Sequence, residues 1–194
     1  VAGQTFTIWQ DGYIDSCCII ICAPGQTQRT ALDQSWSGVG RGGLTARYFS
    51  NKTLSGQPAI ERTDSVVNFN WANNGLDKLL PVNRFSVRWD GQLAAPSSEA
   101  YTFYLYSDGG ARLWVNNRLV IDYWQLSSEP QAHSAPVALN AGAKADIRVE
   151  YYNAGGKARI HLLWSSATTP KQIIPQRHLY PEATTSRSAT TESN

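Results

Sequence analysis

Residues 101–115, YTFYLYSDGGARLWV, carry a strand pattern on both sides of a turn. Apolar and polar residues alternate before and after the central Ser-Asp-Gly-Gly, and this alternation puts one set of side chains on each face of an extended strand. Segment 107–110 favours a turn, because glycine takes positive φ and an aspartate side chain caps turn amides. The stretch therefore predicts two antiparallel strands joined as a β-hairpin.

The same alternation recurs on both sides of this hairpin. Further runs lie at residues 85–89, 119–121, 147–152 and 158–164. Asn116 and Asn117 predict a tight turn into the second of these runs, because asparagine tolerates positive φ, and residues 153–156 predict another hairpin between the last two. Strands this short, separated by such turns, predict an all-β protein with an antiparallel β-sandwich or barrel.

Length and composition narrow the class of protein. The chain has 194 residues, of which 42% are apolar and 16% charged, and its net charge is +2. This is enough for one or two domains with a hydrophobic core, and it does not favour a nucleic-acid partner. Seven tryptophans, nine tyrosines and no methionine are typical of secreted β-rich proteins that bind through aromatic faces. We therefore expect a secreted protein, either extracellular or on the cell surface.

Three segments of the chain differ in character. Residues 1–43 form an N-terminal extension with a cysteine cluster and a flexible, glycine-rich junction, residues 44–181 carry the strand pattern, and residues 182–194 form a Ser/Thr-rich tail. The longest apolar run, Cys17–Ala23, has seven residues, whereas a membrane-spanning helix needs about 20. We therefore expect no membrane span. Because no signal peptide is visible, Val1 is interpreted as the start of a mature or trimmed chain.

The cysteines lie close together near the N-terminus. Cys17, Cys18 and Cys22 are the three cysteines of the chain, so at most one intrachain bridge can form. In an extracellular protein this favours a local disulfide from Cys22 to Cys17 or Cys18. Reduced buried thiols, a bridge to another chain and a metal site stay open as alternatives.

No motif with a fixed catalytic spacing occurs in the sequence. The nucleophile elbow, the zinc-binding histidine pair, the phosphate loop and the Rossmann glycines are all missing. The three histidines, His133, His161 and His178, are scattered along the chain. A carboxylate pair for glycoside hydrolysis stays open, because such a pair meets in space and not in sequence. We expect a protein that is not an enzyme.

Five segments, taken in order, resemble the PA14 domain family. They are GLTARYF at 43–49, FSVRWDG at 85–91, the stretch 101–115, IDYW at 121–124, and VEYYN at 149–153 leading to Leu163 and Trp164. The resemblance covers about residues 43–166. It implies a β-sandwich or barrel module of the kind found in bacterial toxins, glycosidases, adhesins and yeast flocculins, which is not catalytic and often binds carbohydrate.

The resemblance also implies a candidate site. In lectin-like members of the family, a calcium ion held by two consecutive aspartates and a later asparagine binds the sugar, in keeping with the preference of calcium for oxygen ligands. The matching positions in this chain are Asp108, Gly109 and Asn153. Since Gly109 replaces the second aspartate, one carboxylate is missing from the implied calcium site. Asp108 and Asn153 also suit a structural interpretation, because both lie in glycine-containing turns.

Trp124 is a further candidate for carbohydrate binding. It opens the polar segment Gln125–Pro136, which we expect to be a loop. An exposed indole there would stack on a sugar ring, whereas a buried one would serve packing. The predicted carbohydrate-binding residues are Asp108, Gly109, Asn153 and Trp124, with Asp108 and Asn153 as the predicted calcium ligands.

Two functions follow as hypotheses. The first is an extracellular, lectin-like adhesion module whose partners are glycans or cell-surface polysaccharide, with calcium as the expected cofactor. The alternative is a building block of a homo-oligomer or larger assembly at the cell surface, in which the N-terminal extension contacts neighbouring subunits through a strand at Thr5–Trp9. The missing aspartate and the unpaired third cysteine favour the alternative, and the family resemblance favours the first.

Overall fold

The structure is a computed structural model that describes residues 42–71, 80, 83–125 and 131–182. The chain divides between Val39 and Gly40, and all described residues belong to the unit after that boundary. The cysteine cluster, the predicted strand at Thr5–Trp9 and residues 183–194 lie outside the described residues. The disulfide from Cys22 therefore stays a prediction.

Twelve β-strands make up most of the described chain, with one turn of 3-10 helix at Gln176–His178 before the last strand. In chain order they are β1 Leu44–Phe49, β2 Ile60–Asp64, β3 Asn68–Asn70, β4 Phe85–Ala94, β5 Glu99–Ser107, β6 Gly110–Val115, β7 Arg118–Tyr123, β8 Gln131–Leu139, β9 Lys144–Asn153, β10 Arg159–Ser165, β11 Gln172–Ile173 and β12 Leu179–Pro181. Among the described residues, no helix is long and apolar enough to cross a membrane. The all-β prediction is confirmed.

Two antiparallel sheets contain these strands. The large sheet has seven strands in the order β2-β1-β4-β9-β6-β7, with β12 pairing β4, and the small sheet has five in the order β11-β10-β5-β8, with β3 pairing β10. Side chains from both sheets meet in one hydrophobic cluster. The arrangement is a sandwich, because each sheet buries one face against the other.

Aromatic side chains fill the space between the sheets. Trp89 of β4 and Trp164 of β10 are fully buried. Phe69 of the small sheet stacks on Trp89 of the large sheet, with ring centroids 5.7 Å apart. Each buried aromatic side chain removes roughly 150–250 Å² from water, so these rings supply a large part of the free energy that favours folding.

Two of the predicted hairpins are wrong. Strand β5 belongs to the small sheet and β6 to the large one, so residues 107–110 cross between layers instead of closing a hairpin. Strands β9 and β10 also lie in different sheets. The turn at Asn116 and Asn117, with φ of 49° and 60°, does join paired neighbours, β6 and β7. The strands on either side of a crossover alternate apolar and polar residues as hairpin strands do, because each strand turns its apolar side chains to the core. The sequence pattern alone therefore does not distinguish a crossover between sheets from a hairpin within one sheet.

The chain enters and leaves the sandwich at neighbouring points of the large sheet. The Gly43 N–H donates to the Leu179 carbonyl oxygen at 3.0 Å, and the Gln176 amide donates to the Gly42 carbonyl oxygen at 2.9 Å. A Cβ on Gly42 would lie 2.3 Å from the Gln176 carbonyl oxygen, so glycine permits this close approach. The junction expected to be flexible is therefore packed at its last two residues.

Candidate functional site

Asp108 lies in the crossover from β5 to β6 and is only 6% exposed. Its Oδ1 accepts hydrogen bonds from the Arg159 backbone N–H at 2.8 Å and from the Tyr151 hydroxyl at 3.2 Å, and its Oδ2 accepts from Arg159 Nε at 3.1 Å. Burial, reinforced by the charge of Asp108, holds the pKa of Tyr151 far above its usual value. The carboxylate is thus an acceptor that ties the crossover to β9 and β10.

Asn153 and Gly109 meet beside this carboxylate. The register pairs Gly110 with Tyr152, which brings the crossover next to Asn153 at the end of β9. Asn153 is 2% exposed, its Oδ1 accepts from the Gly155 N–H at 2.8 Å, and its Nδ2 has no partner among the described residues. A Cβ on Gly109 would lie 2.0 Å from the Tyr152 carbonyl oxygen. The backbone therefore leaves no room for an aspartate at Gly109 unless it shifts.

The donor set at this place does not fit a calcium ion. Calcium takes six to eight oxygen ligands, usually with several carboxylates. Here Asp108 is already paired with the Arg159 guanidinium, and Gly109 supplies no carboxylate. The described residues contain no group of three or more His, Cys, Asp or Glu side chains able to hold a metal. Calcium binding stays a prediction, and this geometry counts against it.

Trp124 packs on the outer face of the large sheet. Its ring centroid lies 4.7 Å from that of Tyr152, and the Arg112 guanidinium lies 3.9 Å above the Trp124 ring. The indole is half-buried in these contacts. The polar segment expected to be a loop instead contains the start of β8 at Gln131, because a strand whose outer face is solvated accepts polar residues at alternate positions. Trp124 has a packing role whether or not it touches a ligand.

A network of arginines and carboxylates also covers this outer face. We call it the outer-face network, and its members are Arg47, Arg88, Asp90, Arg112, Arg148 and Glu150. Glu150 is buried and accepts from Arg88 and from Arg112, each at 2.8 Å. Sequence reasoning missed this network, although its signal was present: arginines and carboxylates occupy the polar positions of β4, β6 and β9. Ion pairs between side chains of adjacent strands stabilise the pairing of those strands in the sheet.

Next to the network lies a groove of about 360 Å³. We call it the outer-face groove, and it is lined by Asp90, Gly91, Gln92, Trp114, Asn117, Asp146, Ile147, Arg148, Pro181 and Glu182. Asp90 is its buried carboxylate, which accepts from Arg47 Nη1 at 3.0 Å and from Arg148 Nε at 2.5 Å. The groove therefore joins the outer-face network to the last strand of the domain.

The outer-face groove combines several kinds of recognition group. Asp146 and Arg148 are exposed, and Asp146 Oδ1 accepts from the Gln92 amide at 3.0 Å. Trp114 is half-exposed and has the Arg112 guanidinium 5.2 Å from its ring. A concave surface with a carboxylate, a guanidinium, an amide and an indole offers donors, acceptors and an aromatic face to a polar ligand.

The three histidines predict how stability depends on pH. Burial lowers the pKa of His133, His161 and His178 below the ordinary value of 6.5. At acidic pH the unfolded chain therefore binds more protons than the folded domain. The free energy of unfolding is highest above the histidine pKa of the unfolded chain, and it decreases as the pH falls through that value. We expect the Tm to drop between about pH 7.5 and about pH 5.5. Thermal melts of the wild type and of a variant with all three histidines changed to glutamine check this. An equal drop in the variant would show that other groups are responsible.

Comparison with known proteins places the chain in a family. The profile of the PA14 domain matches residues 40–177. The chain belongs to the PA14 domain family. It is 39% identical over 145 residues to Anti-sigma-I factor RsgI3 of Acetivibrio thermocellus, a match that covers 72% of the chain and 22% of that protein.

Two solved structures that are similar to the chain are also named as anti-sigma factor proteins. One is an anti-sigma factor domain-containing protein, with a TM-score of 0.71 and 38% identity over 74% of the chain. The other is an anti-sigma factor domain-containing protein from Clostridium clariflavum, with a TM-score of 0.68 and 36% identity over 73% of the chain. The chain spans 48% of each of these two structures.

These relatives correct the expected function. Both hypotheses, the lectin-like adhesion module and the assembly block, are wrong, because the relatives with 36–39% identity are named as anti-sigma factors and so as regulators. The PA14 resemblance gave the right family. It led to the wrong function because one family fold serves several functions, and only the site and the surrounding protein separate them.

Proposed function

We propose that this chain is the signal-recognition domain of an anti-sigma factor protein and that the outer-face groove is where it recognises its signal. The main support is the 39% identity to Anti-sigma-I factor RsgI3 across 72% of the chain. Because the chain corresponds to only 22% of that protein, the rest of such a protein is free to contact the sigma factor. A separate β-sandwich with its own groove is suited to binding a signal molecule.

The geometry favours the outer-face groove over the crossover at Asp108. At the crossover the carboxylate is buried and satisfied by protein donors, so a ligand there would have to displace them. In the groove Asp146 and Arg148 are exposed. We infer that the domain works outside the cytoplasm, as its composition indicates, and that its role is not catalytic. Glycans stay a predicted partner, to be tried among the ligands titrated against it.

Exchange of the domain in the full-length protein tests this proposal. Residues 40–182, which include β12, are replaced by an unrelated β-sandwich. Transcription from promoters of the cognate sigma factor is then measured with and without the natural inducing conditions. We expect the response to induction to be lost while repression persists. A response that survives the exchange would overturn the proposal.

Two surface variants then test the groove itself. Trp114→Ala combined with Asp146→Ala removes an indole and a carboxylate from the groove, and loss of two ligand contacts is expected to raise the inducer level for half-maximal response about tenfold or more. The matched control is Tyr104→Ala on the opposite, small sheet, where Tyr104 is half-exposed. Equal behaviour of the two variants would place recognition elsewhere. Thermal melts confirm that both variants stay folded.

A further inference from the structure

The last described residues form one wall of the outer-face groove. Pro181 and Glu182 line it: Pro181 ends β12, where it pairs with Gly91 of β4, and Glu182 follows directly after. The Glu182 carboxylate accepts from Arg47 Nη2 at 2.6 Å, and the Glu182 N–H donates to Thr45 Oγ1 at 3.1 Å. The chain leaving the domain is therefore held to β1 at the edge of the groove.

Arg47 is shared among three carboxylates. Its Nε donates to Glu61 at 3.1 Å, its Nη1 to Asp90 at 3.0 Å and its Nη2 to Glu182 at 2.6 Å. The hydrogen bond that Arg47 donates to Glu182 contributes most to raising the pKa of Arg47. Because Asp90 also accepts from Arg148, one series of charged contacts runs from Arg148 in the groove to Glu182 at the exit.

The exit contact is weaker than the strand pairing that precedes it. Glu182 is 41% exposed and Arg47 27% exposed, so solvent screens their ion pair. Exposed pairs of this kind contribute little to stability, because ordering two long side chains costs entropy. The main chain of β12 is instead bonded to β4, and Leu179 is buried. The binding energy of a ligand can thus break the Arg47–Glu182 ion pair while the main-chain pairing of β12 with β4 stays intact.

We propose that the Arg47–Glu182 pair is a latch that reports the state of the outer-face groove to the chain after Pro181. This inference rests on the proposed function, since it assumes that the groove binds the signal. A ligand that brings an anionic group to Arg148 repels the Glu182 carboxylate, and a ligand that takes the space beside Pro181 displaces it; either frees Glu182 from Arg47. The equilibrium shifts by the difference in ligand affinity between the latched and the open domain.

The latch is tested with Glu182→Gln, which keeps the shape of the side chain and removes its charge. Glu61→Gln is the matched control, because Glu61 contacts the same arginine but belongs to β2 and not to the exit. Hydrogen exchange is measured on the purified 194-residue chain. We expect the Glu182 amide, which donates to Thr45 Oγ1, to exchange about fivefold faster in E182Q and to keep the wild-type rate in E61Q. The amides of Leu179 and Tyr180 in β12 keep the wild-type rate in both variants. Unchanged exchange in E182Q, or equal exchange in both variants, would overturn the latch.

The regulatory part is tested in the full-length protein without inducer. E182Q is expected to raise transcription from the sigma-dependent promoter about fivefold, because it populates the open state that the ligand would otherwise stabilise. If E182Q leaves transcription unchanged while the domain exchange abolishes induction, the latch is wrong and the recognition proposal stands. If the domain exchange leaves induction intact, the recognition proposal is wrong and the latch loses its role.

Discussion

Replacing Asp108 with alanine is expected to lower the free energy of unfolding by about 4 kcal/mol. The change leaves the Tyr151 hydroxyl and the Arg159 N–H without their acceptor, and it leaves the Arg159 guanidinium without its partner. Buried polar groups that lose a partner are not compensated by water. Urea unfolding followed by tryptophan fluorescence measures the loss.

The control for Asp108 is Asp122→Ala, because Asp122 is an exposed carboxylate on β7. Its loss is expected to stay within about 0.5 kcal/mol. Melts in excess calcium and in chelator separate the structural role from a metal site. If the loss from Asp108→Ala appears only in calcium, the carboxylate is a ligand, and the predicted calcium site is supported after all.

Restoring the second aspartate of the family, by Gly109→Asp, is expected to destabilise the domain by about 3 kcal/mol and to create no calcium site. A Cβ there would lie 2.0 Å from the Tyr152 carbonyl oxygen and 2.9 Å from the Tyr151 ring, so the crossover must move away from β9. Urea unfolding gives the stability, and the change in Tm on adding calcium gives the metal response.

Gly142→Asp is the matched control for Gly109→Asp. Gly142 has a φ of 70° and no neighbouring atom within 4 Å of its Cβ position, so only the backbone conformation opposes a side chain there. That cost is about 1 kcal/mol. A calcium-dependent rise in Tm of the Gly109→Asp variant would contradict the expectation, because it would mean that the crossover rearranges readily into a metal site.

The fold class could be predicted because alternation is a local property of each strand. Tyr101, Phe103 and Leu105 are buried as their spacing indicated, and so are Leu113 and Val115. The pairing of these two segments could not be predicted in the same way. Segment 107–110 has the residues of a hairpin turn, yet it crosses between sheets, and its buried carboxylate Asp108 pairs with Arg159.

The proximity of three candidate residues could be predicted, and their role in binding carbohydrate stays a prediction. Asp108, Gly109 and Asn153 were expected together, and the register brings the crossover beside Asn153. Their chemistry was not foreseen, because the partner of Asp108 is Arg159, 51 residues away. The outer-face network was missed for a similar reason, since Glu150 pairs with arginines 62 and 38 residues away.

The local sequence pattern is enough to predict which segments form strands, which side chains face the core and membership of the PA14 family. Each of these depends on residues that are close in sequence. Contacts between residues that are distant in sequence determine the rest: which strands pair, which carboxylate an arginine neutralises and where a groove opens. The packing of two sheets decides those contacts. Burial then determines whether a carboxylate such as Asp108 holds the sandwich together or one such as Asp146 is left exposed to meet a ligand.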